Sequence, residues 1–217
     1  MSAGGPEIRI QVFARAPDPG KTKTRLIPLL GPGGAAALHA RLIHHALTAA
    51  GASGAGTVEL WCHPRADHPF FRACRERHGV ALREQGDGDL GARMERALSS
   101  ALADGAQPIL IGSDCPGYSA DFMEEARGRL AGGIDVVLGP AEDGGYLLMG
   151  ARRVTRSLFA GIPWGSATVL EETCERLRTL GWAWEELVPL WDLDRPEDYE
   201  RLLRDAALSR FAVTPSS

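Results

Sequence analysis

The chain is poor in cysteine. It has four in 217 residues (Cys62, Cys74, Cys115 and Cys174), scattered and with no CxxC pair among them. Nothing in that spacing offers a disulfide framework, and the thiols read as those of a reduced, cytoplasmic protein. The six histidines are as dispersed, and no His/Cys spacing suggests zinc. No apolar run approaches the ~20 residues that a bilayer-spanning helix needs. Met1 to Glu7 lacks the basic region and apolar core of a signal peptide. An excess of positive charge is missing too: 24 Lys and Arg against 28 Asp and Glu leave a net charge of -4. That balance argues against a general nucleic-acid binder. A Walker loop is also absent, since GxxxxGK[ST] occurs nowhere.

What remains is an ordinary globular composition, 44% hydrophobic and 24% charged, in a chain long enough for one domain over 1–217 with a substantial core. Strand-like and helix-like segments alternate. Strands are expected over 8–14, 58–62, 80–84, 108–112, 135–139, 146–149 and 182–190. Helices are expected over 34–50, 69–78, 90–102, 120–130, 167–180 and 196–208, with Gly181 as a helix stop. Such alternation predicts a three-layer α/β/α fold with a mostly parallel central sheet. No repeat, long linker or domain boundary is visible, and residues 1–6 and 212–217 read as loose ends.

The chemistry gathers at the expected strand ends. Ile109-Leu110-Ile111 runs into Gly112-Ser113-Asp114-Cys115-Pro116. In such sheets ligands bind outside the carboxyl ends of the strands. A carboxylate there suits a divalent cation that also holds phosphate oxygens. The alternative is a turn or cap aspartate, although Ser119 is the better placed cap. The first strand leads into Arg15-Ala16-Pro17-Asp18-Pro19-Gly20-Lys21-Thr22-Lys23-Thr24-Arg25. Lys21, Lys23 and Arg25 point the same way if this loop is extended, and Lys21 and Arg25 share a face if it is helical. Gly20 lets backbone approach a ligand, and arginine offers a bidentate fork. The loop suits a polyphosphate; otherwise it is a solvated basic turn.

Four further segments are candidates. Gln85-Gly86-Asp87-Gly88-Asp89-Leu90-Gly91 is a glycine-rich entry to a helix. Its free N–H groups would face a ligand and Gln85 could read a base edge; otherwise it is a turn with Asp89 as cap. Glu142-Asp143-Gly144-Gly145-Tyr146 makes either a tight floor for a small ligand or a hairpin turn. In Trp164-Gly165-Ser166, Ser166 caps the next helix or meets an anion, and Trp164 lines a site or is core. Finally, Asp192 ends a strand as a candidate second metal ligand, while Asp194 with Glu197 also fits a capping box.

In this order PDPGKTKTRL, QGDGDLGARM, GSDCPG, GPAEDGGY, PWGSATVLEET and DLDRPEDY resemble the glycosyltransferase A, or nucleotide-diphospho-sugar transferase-like, superfamily. Within it they resemble a bacterial family of transferases of unassigned activity, described with arsenosugar or selenium-linked gene clusters. Relatives of that kind include molybdenum-cofactor nucleotidyltransferases and enzymes that guanylylate phospholactate or phosphoenolpyruvate. The resemblance spans roughly Ile10 to Leu203. It implies a glycosyltransferase A-like fold, nucleotide phosphates on Lys21, Lys23 and Arg25, and base contacts from Gln85 and Gly91. It implies Mg2+ or Mn2+ on Asp114 with Asp192 or Asp194. FARAPDPGKTKTR replaces the usual LAAGxGxR, and Asp114 stands where sugar-transferring members carry DxD.

Two enzymatic functions follow. In the first, an acceptor attacks the α-phosphate of a nucleoside triphosphate, with Lys21, Lys23, Arg25 and Asp114 neutralising charge. In the second, a glycosyl group leaves a nucleotide sugar, and Asp143 serves as base or binds sugar hydroxyls beside Tyr146. A non-catalytic nucleotide-binding module is a third. The expected partners are a nucleotide or nucleotide sugar, bound near Arg15, Gly20, Gln85 and Gly91, and a small acceptor near Gly144, Gly145, Tyr146, Trp164 and Ser166. The acidic balance, with Asp143 and Tyr146, suggests that this acceptor is polar. Neither nucleic acid nor membrane is expected as a partner, and the oligomeric state stays open, a homodimer included.

Overall fold

The computed structural model describes residues 6–214. A seven-stranded sheet runs in the order β3-β2-β1-β4-β6-β5-β7. The strands are β1 (Ile8–Arg15), β2 (Thr57–His63), β3 (Ala81–Glu84), β4 (Gln107–Ile111), β5 (Val136–Pro140), β6 (Tyr146–Ala151) and β7 (Trp184–Glu186). Only β6 is antiparallel to its neighbours β4 and β5. The helices are α1 (Ile27–Ala52), α2 (Pro69–His78), α3 (Leu90–Ala103), α4 (Ala120–Ala131), α5 (Val169–Leu180) and α6 (Pro196–Arg204).

Helices cover both faces of the sheet, as parallel strands require. Ile8, Ile10, Val12 and Ala14 of β1 pack with residues of α1, α2 and α4 on one face. Phe13 turns to the other face with Met94, Ala97 and Leu98 of α3 and Leu177 of α5. Gln11 shares that second face and is fully buried; its Nε2 donates to Ala97 O at 2.7 Å. The NH2 end of the amide thereby recovers a hydrogen bond that burial removes, while Oε1 stays buried without a partner.

The strand order reverses between β1 and β4: β2 and β3 lie on one side of β1, and β4 on the other. Val12 stands opposite Ile111, the last residue of β4, and β1 runs on to Arg15, so the loops after both strands leave the same end of the sheet. This is a topological switch point, where open α/β sheets form their ligand crevice.

Several expected boundaries move. The first helix starts earlier, but Gly31 (φ 70°) followed by Pro32 breaks it before the expected start at Gly34. The late strand shortens to Trp184–Glu186; beyond it the chain follows β5 through single bonds, Leu187 N–H to Leu138 O at 2.8 Å and Leu190 N–H to Pro140 O at 3.0 Å, with Pro189 unable to donate between them. Of the expected loose ends, 1–5 and 215–217 lie outside the described residues. Residues 212–214 are not loose: Val213 is buried, its N–H donates to Tyr199 Oη and its carbonyl accepts from it, both at 3.0 Å.

The absence of a long apolar run also needs correction. The stretch Thr24–Ala52, with mean hydropathy 1.3, is long and apolar enough by length and composition to cross a membrane. In this fold its Leu38, Leu42 and Ile43 are fully buried core residues.

Candidate functional site

Asp114 lies three residues beyond the pairing of Ile111 in β4, at the switch point. The Lys23 ammonium sits on its Oδ1. Lys23 is 9% exposed, and its backbone is left-handed at φ 47°. Such a conformation is uncommon for a non-glycine residue and needs surroundings that hold it. Here Lys23 is held by Asp114 and, at 3.9 Å, by Asp194 Oδ1. His39, buried on α1, adds Nδ1 at 3.5 Å from the same Asp114 oxygen. Its Nε2 lies 3.1 Å from Arg15 O, an acceptor, so that nitrogen carries the proton. Desolvation opposes ionisation of Asp114, but the Lys23 ammonium, seconded by His39, overrides it and holds the carboxyl far below its usual range.

Asp192 behaves in the opposite way. Burial, then the Asp143 carboxylate and more weakly Asp114, push its pKa up to about 6 against the pull of Lys23. Its loop is fixed from both sides. Leu193 N–H donates to Asp114 O at 2.9 Å, and Leu190 N–H to Pro140 O at 3.0 Å. Arg201 stacks over Trp191 at 4.4 Å and forks to Glu142 at 2.6 and 3.0 Å. Charge-assisted bidentate pairs of this kind orient as well as bind.

Two cavities meet at Asp114. One, of about 310 Å³, is lined by Arg15, Lys21, Lys23, Arg25 and His39, with Thr22, Thr24 and Asp194. The other, of about 270 Å³, has an apolar wall that includes Phe13, Met94, Leu110, Met149, Tyr146 and Trp164, and a mouth carrying Asp114, Asp143 and Asp192. Tyr146 and Trp164 meet edge-to-face at 6.3 Å. Ser166 and Gly145 also line the second cavity, and Gly145 N–H fixes Asp143 Oδ1 at 3.0 Å.

The structure therefore brings together Arg15, Lys21, Lys23, Arg25 and Asp114 on one side, and Asp143, Gly145, Tyr146, Trp164, Ser166 and Asp192 on the other. Other expected site residues have different duties. Gln85 is buried, and its Nε2 donates to Trp61 O at 2.8 Å and Ala14 O at 3.4 Å, tying strand ends rather than offering a base contact. Gly91 is a packing glycine: a Cβ there would lie 2.8 Å from the Trp164 ring and 3.0 Å from Phe159 Cβ. Gly144 packs against the Ala167 carbonyl, where a Cβ would come within 2.1 Å of the oxygen. Gly20 (φ 80°) serves a turn in which Lys21 N–H donates to Asp18 O, and no atom comes close to it.

Asp194 is occupied by Arg25 and Lys23, which leaves Asp192 as the late carboxylate facing the apolar cavity. The cap of α6 comes from Asp198, whose Oδ2 accepts from the Asp194 and Arg195 N–H groups, not from Glu197. Ser166 does not cap α5: that helix has Thr168 as N-cap, and Ser166 Oγ accepts from Thr168 N–H. Asp89 and Ser119 do cap their helices, at 2.8 and 3.2 Å. Reading for motifs missed His39, because nothing in the sequence marks one histidine of α1 as facing Asp114.

The carboxylates suit a magnesium or manganese ion of the type that takes one or two protein oxygens and completes its shell with phosphate and water. The observation that favours this is geometric: Asp114 and Asp192 line one cavity, and Asp114 also borders the basic one. Among the described residues no group of three or more His, Cys, Asp and Glu side chains could hold a metal by itself.

The chain matches the DUF2064 profile, described as uncharacterized proteins conserved in bacteria, over residues 46–166. It belongs to that family. No curated protein matches it. Its fold is similar to that of a Desulfovibrio desulfuricans G20 protein provisionally described as a nucleotide-diphospho-sugar transferase, with 31% identity, 94% of both chains covered and a TM-score of 0.83. Two more distant structures share the fold alone. Glucosyl-3-phosphoglycerate synthase from Mycobacterium tuberculosis, solved with Mn2+ and UDP, is 16% identical, with 98% of this chain and 82% of that chain covered and a TM-score of 0.57. A cytidylyltransferase from Leptospira borgpetersenii is 14% identical, with 97% and 90% covered and a TM-score of 0.59.

Proposed function

We propose that this DUF2064 protein is a divalent-metal-dependent transferase that moves a nucleotidyl group from a nucleoside triphosphate to a small acceptor. The observation that carries the reading is the division of the cleft at Asp114, with five basic side chains on one side and aromatic and acidic groups on the other. Arg15, Lys21, Lys23 and Arg25 take the β- and γ-phosphates. Asp114 and Asp192 hold the cation, which when bound neutralises phosphate oxygens. The acceptor oxygen forms a bond to the α-phosphorus, the bond from that phosphorus to the bridging oxygen breaks, and pyrophosphate leaves. Positioning and charge neutralisation supply most of the rate.

Glycosyl transfer from a nucleotide sugar is the second reading. The 31%-identical structure, provisionally described as a nucleotide-diphospho-sugar transferase, favours it. Asp143 beside Tyr146 would then meet the sugar. A thermal-shift panel of the four nucleoside triphosphates and the UDP-, GDP-, ADP- and dTDP-sugars, with and without magnesium, separates the two. A magnesium-dependent rise with one triphosphate and none with sugars supports nucleotidyl transfer. A rise with one nucleotide sugar and its diphosphate supports glycosyl transfer. No rise with any of them overturns both and leaves a non-catalytic module.

A further inference from the structure

The two cavities differ in charge as well as in shape. The wall of the one beyond Asp114 contains no lysine, arginine or histidine, whereas its mouth carries Asp114, Asp143 and Asp192. A phosphate or carboxylate brought there meets like charges and no cationic side chain in the wall, which is costly in a half-buried cleft. A divalent cation on Asp114 and Asp192, together with the Lys23 ammonium already on Asp114, brings the three carboxylates to about neutral and leaves no surplus positive charge for an anionic acceptor. Behind the mouth the wall is apolar and aromatic, with Phe13, Met94, Met149, Tyr146 and Trp164. An uncharged apolar body gains by filling such a wall, and the few polar groups at the mouth fix its orientation.

We infer that the acceptor is an uncharged alcohol with a small apolar body, not a phosphorylated or carboxylated molecule. Its body lies against Tyr146 and Trp164, and its hydroxyl points to the mouth. The inference rests on the transferase reading above and narrows it. Only the reacting end of the acceptor is polar, and of the phosphorylated or hydroxy acceptors that the sequence suggested, the hydroxy kind fits. An alcohol must lose a proton as its oxygen bonds to phosphorus. Asp143, with Oδ1 held by Gly145 N–H and its carboxylate at the mouth, is placed to accept it.

Methionine methyl groups report on this cavity directly. Met94 and Met149 line it, while Met123 belongs to the core on the opposite face of the sheet. The test titrates protein labelled with 13C at the methionine methyls, using benzyl alcohol and benzyl phosphate as probes. Benzyl alcohol is expected to shift the Met94 and Met149 signals and leave Met123 in place, and benzyl phosphate to shift none. Leu90→Arg, a change at a 40% exposed position of the wall, is expected to weaken the alcohol response at least fivefold and to admit the phosphate. Equal or tighter binding of benzyl phosphate to the unaltered protein, or no response of Met94 and Met149 to benzyl alcohol, overturns the inference. The same samples are assayed for melting with triphosphates and magnesium. Loss of that response sinks the transferase reading, while the methyl shifts decide the cavity separately.

Discussion

Lys23 and Asp114 form an ion pair across the switch point, and the lysine makes it from a left-handed backbone while 9% exposed. The pair joins the loop after the first strand to the loop after the fourth. It also keeps one cation inside a cleft that is otherwise acidic on that side. If phosphates bind in the basic cavity, Lys23 is their deepest contact. Lys23→Met is expected to lower nucleotide turnover by about 10²-fold, the usual cost of deleting one pre-organised charge contact. Lys23→Arg is expected to recover little, because a forked guanidinium does not replace a compact ammonium in a tight site. Steady-state kinetics on the nucleotide found by thermal shift checks both.

Asp114→Asn and Asp192→Asn should separate structure from metal. Asp114→Asn leaves the Lys23 ammonium without its nearest partner, so stability falls by about 1–3 kcal/mol as well as activity. Asp192→Asn removes a carboxylate crowded by Asp143 and Asp114, so the metal-free protein is expected to melt no lower than the unaltered one. In both variants the magnesium-dependent part of the nucleotide thermal shift should vanish. Melting curves with and without magnesium read the two effects together.

Gln85→Ala tests a reassigned residue. Its amide ties Trp61 O and Ala14 O at the strand ends. Removing it strands buried carbonyls, at about 1–3 kcal/mol. Denaturant unfolding should show that loss while nucleotide affinity changes less than about threefold, the opposite of what a base-reading glutamine would give.

Gly91→Ala should act on the apolar cavity. The added methyl meets the Trp164 ring at 2.8 Å, so the ring must move or the helix must shift. Overpacking of this kind costs about 1–3 kcal/mol. The tryptophan fluorescence spectrum and the Met94 methyl shift should both change, with nucleotide-phosphate binding retained.

The His44–His78 pair on the outer face of α1 and α2 gives a pH prediction. His44 Nδ1 lies 2.9 Å from His78 Nε2, so one proton serves that contact. Burial, then Arg77, lowers both pKa values, with His78 adding to the effect on His44. The unfolded chain therefore binds more protons than the folded one just below pH ~6.5, the ordinary histidine value. Stability contributed by the pair is complete above that pH and is lost as pH falls through the lowered values. His78→Gln should flatten this acid limb. Urea midpoints between pH 7.5 and 5 measure it, and an unchanged slope in the variant would rule the pair out as its source.

Much of the architecture was legible in the chain. Ile8 to Ala14 alternates across a sheet buried on both faces, and Asp89, Ser119 and Gly181 are local helix signals that act within a few residues. Local signals of this kind depend on backbone neighbours that the sequence itself supplies. The same holds for the placement of basic and acidic loops at strand ends, which follows from the alternation of strand and helix.

Long-range contacts decided the rest. The sequence offered Asp192 or Asp194 as the late ligand, with a capping box as the other reading of Asp194; the fold turned Asp192 to the acidic cleft and gave Asp194 to Arg25 and Lys23. Gln85 and Gly91 looked like ligand contacts because glycine-rich loops often are, but tertiary packing set one between strand ends and the other under Trp164. His39 carried no mark at all until α1 laid it against Asp114. Strand and helix type are set by neighbours along the chain. Which carboxylate is paired, which is raised and which faces a cavity is set by burial and by charges far apart in sequence, Lys23 against Asp114 and Asp143 against Asp192, and only the closed fold brings those together.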